Sequence, residues 1–286
     1  MLDIVVFSKD RAAQLDLLMQ SLDKNIPQIG DSGVSKNVIY TASSVDFSVG
    51  YNRFQNIWEE VNLVYENKSF RDALYEVLRS PYPDNDGEYV LFFTDDDIVY
   101  REVFPDELSH ESYDKLFTTD EELGAFSLRL GRNTFIQDPY TNTITMLPEV
   151  FGRVNEGIVQ WEWKKQTQHS NFAYPFSVDG HIFRKRDVLK ILDNTPGFYN
   201  PNSLEGKAQG QLKYLGKKMA SLQQSCVVNT PLNRVQETCT NKAGQFFNLH
   251  AEGINQQWLS GKRILLGDMD FSCVVGCHQE IQLKWQ

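Results

Sequence analysis

Three consecutive aspartates, Asp95-Asp96-Asp97, are the residues of this 286-residue chain whose types and spacing most clearly could do chemistry. They follow Thr94 and the run Tyr89-Val90-Leu91-Phe92-Phe93. A run that hydrophobic reads as a strand covered on both faces, and in open α/β sheets ligands bind beyond the carboxyl ends of such strands. Three adjacent carboxylates repel one another, so a positive group must offset them. A hard divalent cation with oxygen ligands, itself holding phosphate oxygens, supplies that charge. Residues leaving a strand alternate in direction, so Asp95 and Asp97 are expected to face the cation and Asp96 a hydroxyl or a loop amide. The plainer alternative is a solvated acidic turn. A calcium loop is excluded, because Tyr100 stands where its sharp turn demands glycine.

The elements that must position these acids are legible upstream. Ile4 to Phe7 reads as a buried strand, and Leu15, Leu18 and Leu22 then recur at helical spacing with Asp10 as the expected N-cap. Val38 to Thr41 is a second strand, followed by a helix carrying Phe54, Ile57, Trp58 and Val61. Leu63 to Tyr65 is a third, after which Ser69-x-x-Asp72 opens a helix with Phe70, Ala73, Leu74, Val77 and Leu78 on one face. The turn Pro81 to Gly87 ends it. This βα alternation feeds a parallel sheet. Past the aspartates the texture changes to added, antiparallel pieces: strands at Leu123 to Leu128 and Ile158 to Trp163, a hairpin arm at Asn142 to Leu147, and a strand at Phe176 to Phe183. Helices follow at Asp187 to Leu192 and Leu204 to Leu215, then a strand at Cys226 to Thr230 and a last helix at Leu249 to Leu259. Neither a repeat nor a linker interrupts the chain, so residues 1–286 are expected to form one domain.

A first strand ending in Ser8-Lys9-Asp10-Arg11, two further βα units and a strand ending in Asp95-Asp96-Asp97 together resemble the nucleotide-sugar half of GT-A-fold glycosyltransferases of the family 2-like group. Downstream, Asp179-Gly180-His181-Ile182-Phe183-Arg184 resembles the acceptor-side segment of that family, and Pro196-Gly197-Phe198 with Asn200 through Glu205 resembles the stretch that delivers its catalytic acid. The resemblance implies an α/β GT-A (Rossmann-like) fold: a mostly parallel sheet with helices on both faces and an added antiparallel region, divided into residues 1–100 for the nucleotide sugar and 101–286 for the acceptor. It implies hexosyl-type transfer from a nucleoside-diphosphate sugar to a glycan, lipid-linked or protein acceptor, with inversion and with Mn²⁺ or Mg²⁺ as cofactor. Asp95 and Asp97 correspond to the family's DxD metal ligands, with His250 as the late histidine that joins them. Glu205 is the candidate base and Asp179 its reserve, although Glu205 is followed by Gly206 where the family often carries a second acid. The alternative role for Glu205 is a first-turn acid on a helix capped by Ser203. Ser8, Asp10, Arg11 and Asp96 are expected against the nucleotide, and Arg234 against the diphosphate. Trp161, Trp163 and Trp258 are candidates for sugar stacking or for core packing.

Composition narrows the rest. The net charge of −10, with 28 basic and 38 acidic residues and no basic stripe, argues against nucleic acid as a partner. No apolar run approaches the roughly 20 residues that span a bilayer, and the acid at position 3 with no basic leader sets an expectation of cytoplasmic residence. Cys226, Cys239, Cys273 and Cys277 form no C-x-x-C pair and are expected to be reduced thiols. Two enzyme rivals remain. Asp95-x-Asp97-x-Val99 also matches the nucleophile motif of haloacid dehalogenase-like phosphatases, with Arg263 to Asp268 as a late acidic strand, yet that motif normally belongs to the first strand of its sheet. A sugar nucleotidyltransferase should open with a glycine-rich loop, and Ser8 to Ala13 contains no glycine. A non-catalytic nucleotide-sugar or carbohydrate-binding module is the third alternative.

Overall fold

In a computed structural model, the structure describes residues 2–29, 34–67, 69–79, 88–138, 140–149, 152–153, 157–236 and 243–286. The expected turn at Pro81 to Gly87 and Cys239 lie outside them. The first half alternates β1 (Leu2–Lys9), α1 (Ala12–Asn25), β2 (Val34–Thr41), α2 (Val45–Ile57), β3 (Asn62–Tyr65), α3 (Phe70–Leu78) and β4 (Tyr89–Thr94). Then come β5 (Asp97–Val99), α4 (His110–Thr119), β6 (Leu123–Ser127), β7 (Ile136–Asp138), β8 (Thr143–Ile144), β9 (Gly152–Arg153) and β10 (Ile158–Glu162). The last part holds β11 (His181–Arg184), α5 (Lys185–Asp193), α6 (Pro201–Ala208), β12 (Lys218–Leu222), β13 (Val227–Asn229) and α7 (Ala251–Leu259).

One nine-stranded sheet organises these elements in the order β3-β2-β1-β4-β11-β6-β12-β10-β9. The β3-β2-β1-β4 pairs are parallel; β11 runs antiparallel between β4 and β6, and β10 antiparallel between β12 and β9. The expected parallel half with antiparallel additions is what forms. Alternation along the central strands sorts side chains onto two covered faces. Ile4, Val6, Leu91 and Phe93 meet α1, α2, α4 and α7, whereas Val5, Phe7, Val90 and Phe92 meet α3, α5 and α6. Among the described residues no helix is long and apolar enough to cross a membrane.

Several elements differ from expectation for local reasons. Strand β12, absent from the sequence reading, joins β6 and β10; its Lys-Met-Ala-Ser-Leu run lacks β-branched residues. The segment at Phe176 to Phe183 becomes strand only from His181, and Leu204 to Leu215 splits into α6 and a 3₁₀ turn at Gln209–Tyr214. Asp10 does not cap α1. The N-cap is Arg11, without a side-chain cap bond, while Asp10 has φ 57° and its carboxylate accepts from the Ser43 amide at 2.7 Å, tying the ends of β1 and β2 together. Leu266–Asp268 is a 3₁₀ turn with Asp268 exposed, so the late acidic strand of the phosphatase reading is not formed. Trp161, Trp163 and Trp258 are all buried, with their indole N–H groups donating to the carbonyls of Phe172, Gly216 and Gly50. They serve the core.

The two halves are fastened by a buried ion pair, Lys185 Nζ to Asp3 Oδ2 at 2.7 Å, between the start of α5 and β1. Asp3 is fully buried and also accepts from Ser35 Oγ. Removing the ammonium would leave an uncompensated charge in the core. Lys185→Met is therefore expected to lower the unfolding free energy by about 3 kcal/mol in a urea titration, with the Asp3→Leu/Lys185→Met double variant recovering much of it. An unchanged midpoint for the single variant would contradict this role.

Candidate active site

The chain turns sharply at Asp95-Asp96 and resumes as β5 at Asp97, whose backbone pairs with Asn229 of β13. That turn breaks the strand alternation used to orient the acids. Asp95 and Asp96, not Asp97, line a cavity of about 910 Å³ at the carboxyl end of β4. Asp97 is fully buried beneath it: Thr94 N donates to Oδ2 at 2.9 Å and Asn229 Nδ2 to Oδ1 at 3.1 Å. Burial, with Asp179 and Asp96 nearby, holds its carboxyl well above the usual range.

The positive partner of the turn is Arg11. Its Nη1 donates to Asp95 Oδ1 at 3.0 Å and to Asp96 Oδ2 at 2.7 Å, its Nε donates to Asn233 Oδ1 at 2.7 Å, and its Nη2 donates to the Asn233 carbonyl. The second Asp95 oxygen accepts from Ser8 Oγ at 2.9 Å and from Lys9 N at 3.0 Å; the second Asp96 oxygen accepts from Thr94 Oγ1 and Asn229 Nδ2, each at 2.9 Å. Every carboxylate oxygen of the pair thus already has a protein donor. Burial pushes Asp95 up to about 6 against the pull of Arg11. The guanidinium's own basicity rises between the two acids, outweighing the burial that opposes it.

The Asp95/Asp97 clamp expected for a metal ion is not assembled by these residues. One member is braced by three donors and the other is sealed in the core. Among the described residues no group of three or more His, Cys, Asp or Glu is arranged to hold a metal ion. The cysteines Cys226, Cys273 and Cys277 are free, the first and last of them buried.

A second acid centre faces the same cavity. Asp179 is placed by Gly180, whose φ of +65° and close approach to Val227 leave little room for a side chain. Asp179 Oδ2 lies 3.3 Å from Arg129 Nη1 and 3.4 Å from His278 Nε2, and Thr94 Oγ1 reaches its Oδ1 at 3.2 Å. Burial works to raise its pKa, but His278, Arg129 and His181 prevail and bring it down to about 2. Glu205 sits in α6, which starts at Pro201 and is capped by Asn200 with Ser203 completing the box. It is therefore not a first-turn acid on a helix capped by Ser203. Its Oε1 accepts from Val178 N at 2.9 Å, and burial plus the Asp179 charge push its pKa up to about 7 against Arg129. His278 is held charged: burial opposes the proton, and Cys277 and Asp179 raise its pKa to about 10.

Of the residues singled out in the sequence, Ser8, Arg11, Asp95, Asp96, Asp179 and Glu205 line the cavity together. Asp10, Asp97, Arg234 and His250 are not among its lining residues. Arg234 is exposed beside Asn233, and His250 is exposed at the N-cap of α7. Sequence reasoning missed Asn229, Arg129 and His278. An arginine between Leu128 and Leu130, just past the apolar strand β6, was a usable signal for Arg129, because a cation in so apolar a run demands an acid. His278 lies in an irregular C-terminal segment with no periodic pattern to mark it.

No protein-family profile and no curated protein matches this sequence. Solved structures do resemble it at a distance. TarS residues 1–349 of S. aureus, in complex with UDP, matches at 13% identity over 90% of this chain and 70% of that one, with a TM-score of 0.46. The mannosyltransferase PcManGT of Pyrobaculum calidifontis, in complex with GDP-Man and Mn²⁺, matches at 14% identity over 76% of this chain and 53% of that one, with a TM-score of 0.41. The 4-diphosphocytidyl-2C-methyl-D-erythritol synthase of Anaerococcus prevotii matches at 11% identity over 91% and 96%, with a TM-score of 0.42. The chain spans only 53% of PcManGT and 60% of a second TarS 1–349 structure that it also matches, at a TM-score of 0.42. UDP-glucose pyrophosphorylase structures are also among its distant likenesses.

The electrostatics of the second centre are directly measurable. Carboxyl-carbon NMR of the protein is expected to show one glutamate titrating near 7, and that resonance should vanish in Glu205→Gln. A Glu205 that titrates in the ordinary carboxylate range near 4.5 would contradict the enclosure described above.

Proposed function

We propose that this chain transfers a sugar from a nucleoside-diphosphate sugar to an acceptor hydroxyl, with inversion at the anomeric carbon. The observation that carries the reading is a single cavity presenting two carboxyl centres tuned apart: the Arg11-braced Asp95-Asp96 turn, and Glu205 raised towards neutrality beside an ionised Asp179. A carboxyl group poised near 7 suits a general base at neutral pH.

In this scheme the nucleotide and its diphosphate lie against Ser8, Arg11, Asp95 and Asp96, with Lys9 exposed at the same cavity. Glu205 removes the proton of the acceptor hydroxyl as that oxygen attacks the anomeric carbon. The bond from that carbon to the diphosphate oxygen breaks with its electron pair, and the leaving diphosphate keeps the charge. Preorganised donors at that oxygen lower the barrier because they need no reorientation as the charge develops. Asp179, held low by Arg129 and His278, is a poor base and fixes the field around Glu205 instead. The Asp95/Asp97 pair does not form the site for the Mn²⁺ or Mg²⁺ expected from the sequence, since Asp95 is engaged by Ser8, Lys9 and Arg11 and Asp97 by Thr94 and Asn229.

The phosphatase alternative would make Asp95 a nucleophile, yet both its oxygens are engaged by Ser8, Lys9 and Arg11. Nothing in the site favours it. The acceptor, whether glycan, lipid-linked or protein, must be found by assay.

Incubating the protein with UDP- and GDP-sugars and following donor consumption by mass spectrometry tests the reading. Glu205→Gln is expected to keep donor affinity and to lower turnover by about 10²-fold or more. In the wild type, kcat/KM should fall by about tenfold per pH unit below the Glu205 pKa, since the base must be unprotonated to act. Equal turnover in the variant would remove Glu205 from the mechanism. Donor binding without consumption under any condition would leave a binding module in place of a transferase.

A further inference from the structure

Resting on the donor-binding reading above, we infer that Arg11, and not a divalent metal ion, is the cation that holds the diphosphate in this cavity. The repulsion among Asp95, Asp96 and Asp97 was the reason to expect a metal, and the fold answers it from within. One guanidinium nitrogen bridges Asp95 and Asp96, and two donors seal Asp97 away from the cavity. An ion entering between Asp95 and Asp97 would have to displace Arg11 from one acid and draw the other out of a fully buried strand position.

The guanidinium is rigidly held and keeps one N–H, on Nη2, for a ligand. Four of its five N–H groups are committed, one on Nε, two on Nη1 and one on Nη2, which fixes the plane of the fork at the cavity surface. Arg11 is also the N-cap of the 14-residue α1, whose first turn carries no acidic residue, so no acid there offsets the guanidinium. Lys9, two residues earlier, is exposed at the cavity and brings a further positive charge. The positive groups at the cavity are therefore the Arg11 guanidinium and Lys9, with the acids turned towards Arg11 as its braces.

Calorimetric titration with UDP and with GDP, once in EDTA and once in excess Mn²⁺, decides the matter. At least one of the two nucleotides should bind in EDTA, with an affinity within about threefold of that in Mn²⁺. Arg11→Gln, if circular dichroism shows it folded, should lose at least about tenfold in affinity in the EDTA arm, with Arg11→Lys recovering part of it. Should these variants fail to fold, the wild-type comparison still stands alone. Binding that requires Mn²⁺ would overturn this inference and leave the transferase reading intact. Binding of neither nucleotide in either arm would remove the donor reading and this inference together.

Discussion

The interaction on which the site depends is the bridge from Arg11 to Asp95 and Asp96. It joins the turn after β1 to the turn after β4, and through Asn233 it also holds the segment that follows β13. These three pieces are far apart in sequence; the first two meet because β1 and β4 are parallel neighbours in the sheet, and the pairing of β13 with β5 brings in the third. A buried ion pair is costly to desolvate and is no argument for stability in itself. Its value here is geometric: it fixes where two carboxylates and a guanidinium stand at the rim of a cavity.

From that bridge outward, a chain of polar contacts reaches the second acid centre. Thr94 Oγ1 touches both Asp96 and Asp179, Asp179 is paired with Arg129 and His278, and Asp179 and Arg129 in turn shape the field felt by Glu205. The two centres are parts of one hydrogen-bonded system. This is how neighbouring carboxyls are tuned apart: Asp179 has cations on two sides, whereas Glu205 has mainly burial and a like charge.

Much of the scaffold was legible because it rests on simple patterns. The apolar runs of β1 and β4 and the helical spacing of Leu15, Leu18 and Leu22 name their elements directly, and Glu205 and Asp179, which the family resemblance singles out, both line the cavity. What escaped depends on local turns and on chain path. Asp97 was assigned to the cavity by strand alternation, and the turn at Asp95-Asp96 cancels that rule. Asp10 was assigned to the helix cap, yet its left-handed backbone sends its carboxylate to Ser43. His250 and His278 are equally lone histidines in the sequence, and only the return of the C-terminal segment to β13, where Asn229 meets His278, brings the second one into the site. The missing strand β12 illustrates tertiary override, since a short run of weak strand formers is recruited by neighbours on both sides.

The most direct test of the account is a crystal structure of the protein with a bound nucleoside diphosphate. The account predicts the diphosphate within hydrogen-bond distance of Arg11, with Asp95 and Asp96 still on the guanidinium and Glu205 facing the space beyond the terminal phosphate. A nucleotide bound elsewhere, or an Arg11 swung away while both aspartates coordinate a metal ion, would contradict it.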